Sequence, residues 1–130
     1  MYEGKLLVVR HSDNSGFMAL PGGHLERGEE IEECLSREII EELRIKLDID
    51  RLLYINTFAD NNKQYVEFFF EIKNGVDYFN AKNLISSHSH EIVEMAWVSP
   101  IDDVNIMPKN LAEDFKAEKI GSDEIKYIKD

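Results

Sequence analysis

The chain has 130 residues, 43% of them hydrophobic and 32% charged, which is enough apolar material for one buried core and too much for a disordered segment. Its formal net charge of −11 repels a nucleic-acid backbone, so a duplex or RNA binder is not expected, and no apolar run approaches the length of a membrane span. Cys34 is the single cysteine, which excludes an internal disulfide and a cysteine-built metal cluster; with no signal-peptide pattern at the front, a cytoplasmic location is expected.

In chain order, "KLLVVRH" (Lys5 to His11) is a short Leu- and Val-rich run and reads as a buried strand. "SDNSG" follows as turn chemistry, and Pro21, Gly22 and Gly23 break any regular element after "FMAL". A helix is predicted from Glu29 to Leu43. Strands are then predicted over "LLYINTF" (Leu52 to Phe58) and "QYVEFFFEI" (Gln64 to Ile72), joined across "ADNNK" as a hairpin. "KNGVD" predicts a turn, and "IVEMAWV" (Ile92 to Val98) a further strand. "NLAEDFKAEK" (Asn110 to Lys119) reads as a second helix, with Asn110 as its cap and Glu113 completing a capping box. With no repeat or linker, residues 1–130 are expected to form one domain, with helices packed on a mixed sheet.

The segment from Gly22 to Ile45 is unusually rich in glutamate. On an ideal helix each residue turns about 100°. With Ile31 at zero, Leu35, Ile39 and Leu43 fall near ~40°, ~80° and ~120°, a buried stripe, while Glu42, Glu38 and Glu41 fall near ~20°, ~340° and ~280°, bordering it. Three carboxylates so placed should raise one another's pKa unless a cation neutralises them, and hard oxygen donors suit Mg²⁺ or Mn²⁺ rather than zinc. The other reading is an acidic helix edge paired with lysines. Gly22 and Gly23 open backbone conformations that bring a loop carbonyl close to a ligand, and Gly28 allows a sharp turn into the helix.

Gly23, five residues, Glu29, seven residues, Arg37-Glu38-Ile39, one residue, Glu41-Glu42, and an aliphatic Ile45 resemble the Nudix box, with all but one defining position matched. The resemblance implies an α/β/α sandwich with a mixed sheet, and a metal-dependent pyrophosphohydrolase cleaving a nucleoside diphosphate linked to another moiety, with a nucleoside triphosphate or a modified nucleotide as the default substrate. It implies that Glu38 and Glu42 bind Mg²⁺ or Mn²⁺ directly, that Glu41 does so directly or through water, and that the Gly22 carbonyl completes the shell. Glu29 and Arg37 resemble the pair that braces loop against helix. A further acid comes from a later loop in the family, as ligand or base. Glu91 is preferred over Glu94, which falls in the predicted strand ahead of Trp97; His88 and His90 read as loop residues. Arg10, at the end of the first strand, resembles a basic residue facing the phosphates, although a surface cation has the same appearance. Pro108 to Asn110 resembles the Pro-x-Asn with which mutator-type members read a base, but Asn110 already has work as a cap. Tyr65 is more simply a strand residue.

Two departures stand out. Arg44 occupies the position of the box glycine that ends the helix in a left-handed conformation, so either Arg44 bears that strain or the helix ends differently. Few residues precede the first strand, where the family has another, so the sheet is expected to be incomplete or completed by a partner chain, and a homodimer is predicted. Two rival functions remain: a catalytically silent Nudix-fold module that binds a nucleotide or protein, and a plain acidic interaction protein.

Overall fold

A computed structural model describes residues 1–11, 16–79, 92–121 and 123–130. In chain order it contains β1 (Leu6–His11), β2 (Met18–Ala19), α1 (Ile31–Leu43), β3 (Ile49–Asp60), β4 (Lys63–Ile72), a short 3-10 helix (Gly75–Tyr78), β5 (Ile92–Val98), β6 (Ile106–Met107), α2 (Lys109–Lys116) and β7 (Lys126–Lys129). The strands form two sheets, ordered β5-β1-β2-β6 and β4-β3-β7. Each is mixed: β1 runs antiparallel to β2 and β5 while β2 and β6 are parallel, and β3 runs antiparallel to β4 and parallel to β7.

Strand β1 is the pivot, because its side chains alternate between two cores. Leu7 and Val9 join Ile39 and Leu43 of α1, Tyr78 and Met95. Leu6 and Val8 join Leu111, Ala112 and Phe115 of α2, together with Tyr54 and Ile128 from the second sheet. The two helices therefore lie on opposite sides of the strands, the α/β/α arrangement that the Nudix resemblance implies.

The β3–β4 hairpin turns at Asn61 and Asn62, with φ of 48° and 64°. Positive φ at both central residues matches the right-handed twist of the flanking strands, and asparagine tolerates it better than most side chains.

Several details depart from the sequence expectations. α1 starts at Ile31 rather than Glu29, and its stripe is buried only toward the C-terminal end: Ile39 and Leu43 are 4% and 1% exposed, Ile31 38%. "GVDY" closes into a 3-10 helix where a turn was expected. Three strands were not foreseen, β2, β6 and β7. The last lies along the edge of β3 opposite β4, pairing Tyr54–Thr57 with Lys126–Lys129. Asn110 is not the cap of α2. Pro108 occupies that position and makes no side-chain cap bond, and the capping box with Glu113 does not form. The first free amides of α2, on Lys109 and Asn110, donate instead to the carboxylate of Asp130, a negative group at the positive end of the helix.

At the other end of α1 the open question has a definite answer. Arg44 adopts φ 61°, ψ 20°, and its N–H donates to the Ile40 carbonyl at 2.9 Å. The helix ends as a glycine would end it, and arginine bears the left-handed conformation.

Candidate active site

The loop from Gly22 to Glu30 is folded onto α1 by one arginine. Arg37 forks onto Glu29, with Nε donating to Oε2 at 2.7 Å and Nη2 to Oε1 at 3.1 Å. The same Nη2 reaches the His24 carbonyl at 3.2 Å. Nη1 donates to Glu38 at 2.8 Å and to Glu41 at 3.4 Å, and lies 3.7 Å from Glu26. Glu29 also closes the turn it belongs to: its N–H donates to the Glu26 carbonyl, and its carboxylate accepts from the Glu26 N–H at 3.0 Å. That turn needs Gly28, whose φ is +83°.

The planar guanidinium matches a carboxylate in both position and charge. The hydrogen bonds from Arg37 hold the Glu29 carboxyl down at about 2, with the Glu26 amide assisting, and the pairing raises Arg37 in turn. Cys34 sits against the same guanidinium, its sulfur 4.0 Å from Nη2. Burial, with Glu29 next to it, pushes its thiol up and keeps it protonated.

Gly22 and Gly23 differ from the sequence reading, since neither has a positive φ. A Cβ at Gly22 would meet nothing, but one at Gly23 would collide with the carboxylate of Glu38. Gly23 is therefore a requirement of space, not of dihedral angle: the loop lies directly on the Glu38 carboxylate, whose Oε2 faces it while Oε1 is held by Arg37.

Glu38 is shielded, with its side chain 17% exposed, and Glu41 is open at 60%. The mutual repulsion expected of these acids is already relieved at two of them by Arg37. Glu42 is described in its backbone only, and Glu91, His88 and His90 lie outside the described residues. Among the described residues no three Asp, Glu, His or Cys side chains are gathered as a ready-made metal cluster. The donor set still suits a hard divalent cation, because the Glu38 oxygen facing the glycine loop accepts no hydrogen bond among the described residues, and carboxylate and carbonyl oxygens are the donors such ions take.

Arg10 does not stand free. It pairs with Glu94 at 2.9 Å, directly across the β1–β5 ladder. Asn110 sits in the first turn of α2, its side-chain Nδ2 donating to the Lys129 carbonyl and to Asp130, both at 3.1 Å. Tyr65 stacks on Phe58 across the hairpin, 4.9 Å between ring centres. Sequence reasoning missed Tyr78 altogether. Its hydroxyl donates to the Ile45 carbonyl at 3.0 Å, pinning the segment that leaves α1, and its own carbonyl accepts from Trp97 Nε1 at 2.8 Å. Burial pushes Tyr78 up to about 12. An aromatic in a turn-like segment was the one available hint.

A glutamate-bearing helix clamped to a glycine loop, on strands flanked by two helices, is the Nudix class of architecture. The chain belongs to the Nudix family and is a Nudix hydrolase: the NUDIX domain family model matches residues 1–118. It is 32% identical over 112 residues to nucleoside triphosphatase NudI of Escherichia fergusonii, covering 77% of each chain. Among solved structures it is similar to a NUDIX hydrolase from Nitrosomonas europaea, with TM-score 0.64, 26% identity, and coverage of 91% of this chain and 84% of that one. It also resembles a UDP-X diphosphatase in fold, with TM-score 0.65 and 22% identity. That match covers 97% of this chain but spans only 61% of the other's length.

Proposed function

We propose that the chain is a divalent-metal-dependent pyrophosphohydrolase that cleaves a phosphoanhydride bond of a nucleoside triphosphate or a modified nucleotide. Glu38, Glu41 and Glu42 would hold Mg²⁺ or Mn²⁺, with the Gly22 carbonyl as a further donor. A cation bound there supplies charge neutralisation of the diphosphate and an acidified water. Arg37 holds the Glu38 carboxylate against the loop through one oxygen, and Glu29 fixes Arg37. Glu91 is assigned as the base that takes the proton from the attacking water, or as a further ligand. Arg10 would exchange Glu94 for a phosphate oxygen when substrate arrives, trading one anionic partner for another. Asn110 would meet the substrate through its amide oxygen, since its Nδ2 donates to Lys129 and Asp130.

The observation that carries the proposal is the closeness of Gly23 to Glu38: the loop backbone lies so near the helix carboxylate that a Cβ would overlap it, which puts loop and carboxylate at one place. The name of the nucleoside triphosphatase relative supports the triphosphate. Release of phosphate or pyrophosphate from a nucleotide panel should vanish in EDTA and return with Mg²⁺ or Mn²⁺, and Glu38→Gln should lower the rate by about three orders of magnitude. Full turnover without metal would overturn the mechanism. The cytoplasm fits the free, buried Cys34. A homodimer belongs to the same reading, since β4 has only β3 as a strand partner among the described residues and unpaired edges recruit other chains. A stable monomer in light scattering at micromolar concentration removes it.

A further inference from the structure

In β4, Val66, Phe68, Phe70 and Ile72 share one face of the strand, opposite to that of Phe69, which packs with Tyr54 and Ile128 in the core. The register carries this outer face across the sheet: Phe68 lies beside Ile55, and Ile55 beside Tyr127 of β7. An apolar face this wide is ordinarily covered. α1 covers one end of it, since Ile72 packs against the cluster of Ile39 and Leu43. Among the described residues the rest is open: Phe68 is 37% exposed, Val66 54% and Tyr127 76%.

Where the first turn of α1 meets this face there is a groove of about 580 Å³, within the size range of ligand pockets. Ile31, Leu52, Phe68 and Phe70 give it apolar walls. Glu30, Glu32 and Asp50 add three carboxylates. All three are exposed, and none has an ion pair or a side-chain hydrogen bond among the described residues. Glu29 lines the groove as well, but Arg37 already answers its charge. The combination decides what can sit there. Nucleotides, nucleic acids and anionic lipids would bring phosphates to a carboxylate rim on a chain of net charge −11, and like charges brought together are penalised. A second copy docked symmetrically would set one acidic rim against the other. A cationic partner with apolar side chains is favoured twice: its lysines or arginines meet the carboxylates, and its anchors bury the phenylalanine wall.

We propose that this groove docks a segment of a partner protein: an extended, lysine- or arginine-rich peptide that carries an aromatic or branched aliphatic anchor. The anchor enters between Ile31 and the Phe68–Phe70 wall. The basic residues on either side of it meet Glu30 and Glu32 from the helix and Asp50 from β3. The apolar face runs on from the groove to Val66 and Tyr127, a length that suits an extended chain better than a compact small molecule. Glu38 and Glu41 are not part of the lining. The docking site is therefore separate from the carboxylates assigned to the cation, and the inference holds whether or not the chain hydrolyses nucleotides.

The test is calorimetric binding of three synthetic heptapeptides to the full chain: lysines with phenylalanine and leucine as anchors, the same lysines with glycine at both anchor positions, and the same anchors set among glutamates. The first should bind about tenfold more tightly than either of the others, and its affinity should fall as salt rises. Glu32→Lys should weaken it about tenfold. Glu33→Lys makes the same change of charge one residue away and outside the groove, and should weaken it by no more than about twofold. Phe68→Thr removes part of the apolar wall and should also weaken it about tenfold. Equal losses in Glu32→Lys and Glu33→Lys overturn the proposal, because they report attraction to the net charge alone. So does equal binding of the glycine peptide, or no binding of the anchored one at about 1 mM. Light scattering on the parent and on Phe68→Thr gives the remaining outcome: self-association that the substitution abolishes assigns the groove to a second copy and overturns the peptide reading. If Phe68→Thr fails to fold, the two surface lysine variants still decide.

Discussion

Gly23 and Glu29 make opposite demands on one loop. Gly23 must be small because the Glu38 carboxylate occupies the space of a Cβ. Gly23→Ala should therefore push Glu38 off its position, lowering turnover by about a hundredfold and stability by about 1–3 kcal/mol. Gly22→Ala, with open space around it, should change the melting free energy by no more than about 0.5 kcal/mol, so the pair of melts separates crowding from a general effect of alanine. Glu29 must be charged. Its carboxyl sits at about 2 against an ordinary 4.5, a depressed value, so its contribution is complete above about pH 4.5 and is lost as the pH falls toward 2. In acid melts the stability advantage of the parent over Glu29→Gln should shrink across that window; a difference that stays constant down to pH 2 would contradict the Arg37 fork.

Among the elements, α1 shows what a motif can and cannot convey. Its spacing made the Glu29–Arg37 brace and the core face at Ile39 and Leu43 legible, because both follow from helical periodicity. The geometry at its end was not legible, since a left-handed Arg44 depends on the packing beyond it. Arg44→Gly removes the Cβ clash of that conformation and should raise the urea midpoint by an amount equivalent to about 1 kcal/mol, with the m-value unchanged. The long strands β1, β3, β4 and β5 announce themselves through apolar runs. β2 and β6 are two residues each, too short for any period to register. "KYIK" in β7 has one buried side chain, Ile128, and so shows no alternation. The α2 cap was misassigned for a related reason: Asn110 was the nearest capping residue in sequence, whereas Asp130 is brought there by β7. Pairing at that distance leaves no trace in a local window. Glu42 and Glu91 stay as expectations drawn from the motif and its family.

At the level of the whole molecule, Asp114 joins three elements. It accepts from the Tyr54 hydroxyl on β3 at 2.8 Å and from the Lys126 ammonium on β7 at 2.7 Å. Burial alone would raise Asp114, but Lys126 and Tyr54 outweigh it and the net shift is downward; burial and the same carboxylate push Tyr54 up. Asp114→Asn keeps the shape and removes the charge, and should cost about 1–2 kcal/mol in chemical denaturation, with the difference from the parent fading in acid as Asp114 itself is protonated.

The position of β7 also has a consequence for the order of assembly. The strand that shields the edge of β3, the lysine that answers Asp114 and the carboxylate that caps α2 all come from residues 126–130. Synthesis runs from the N-terminus, so each is made after the groups it satisfies. Until that stretch leaves the ribosome, β3 presents a bare ladder of amides and carbonyls, and α2 has its first amides unanswered. The nascent chain is open to strand-addition by neighbours during that interval, and docking of residues 126–130 ends it.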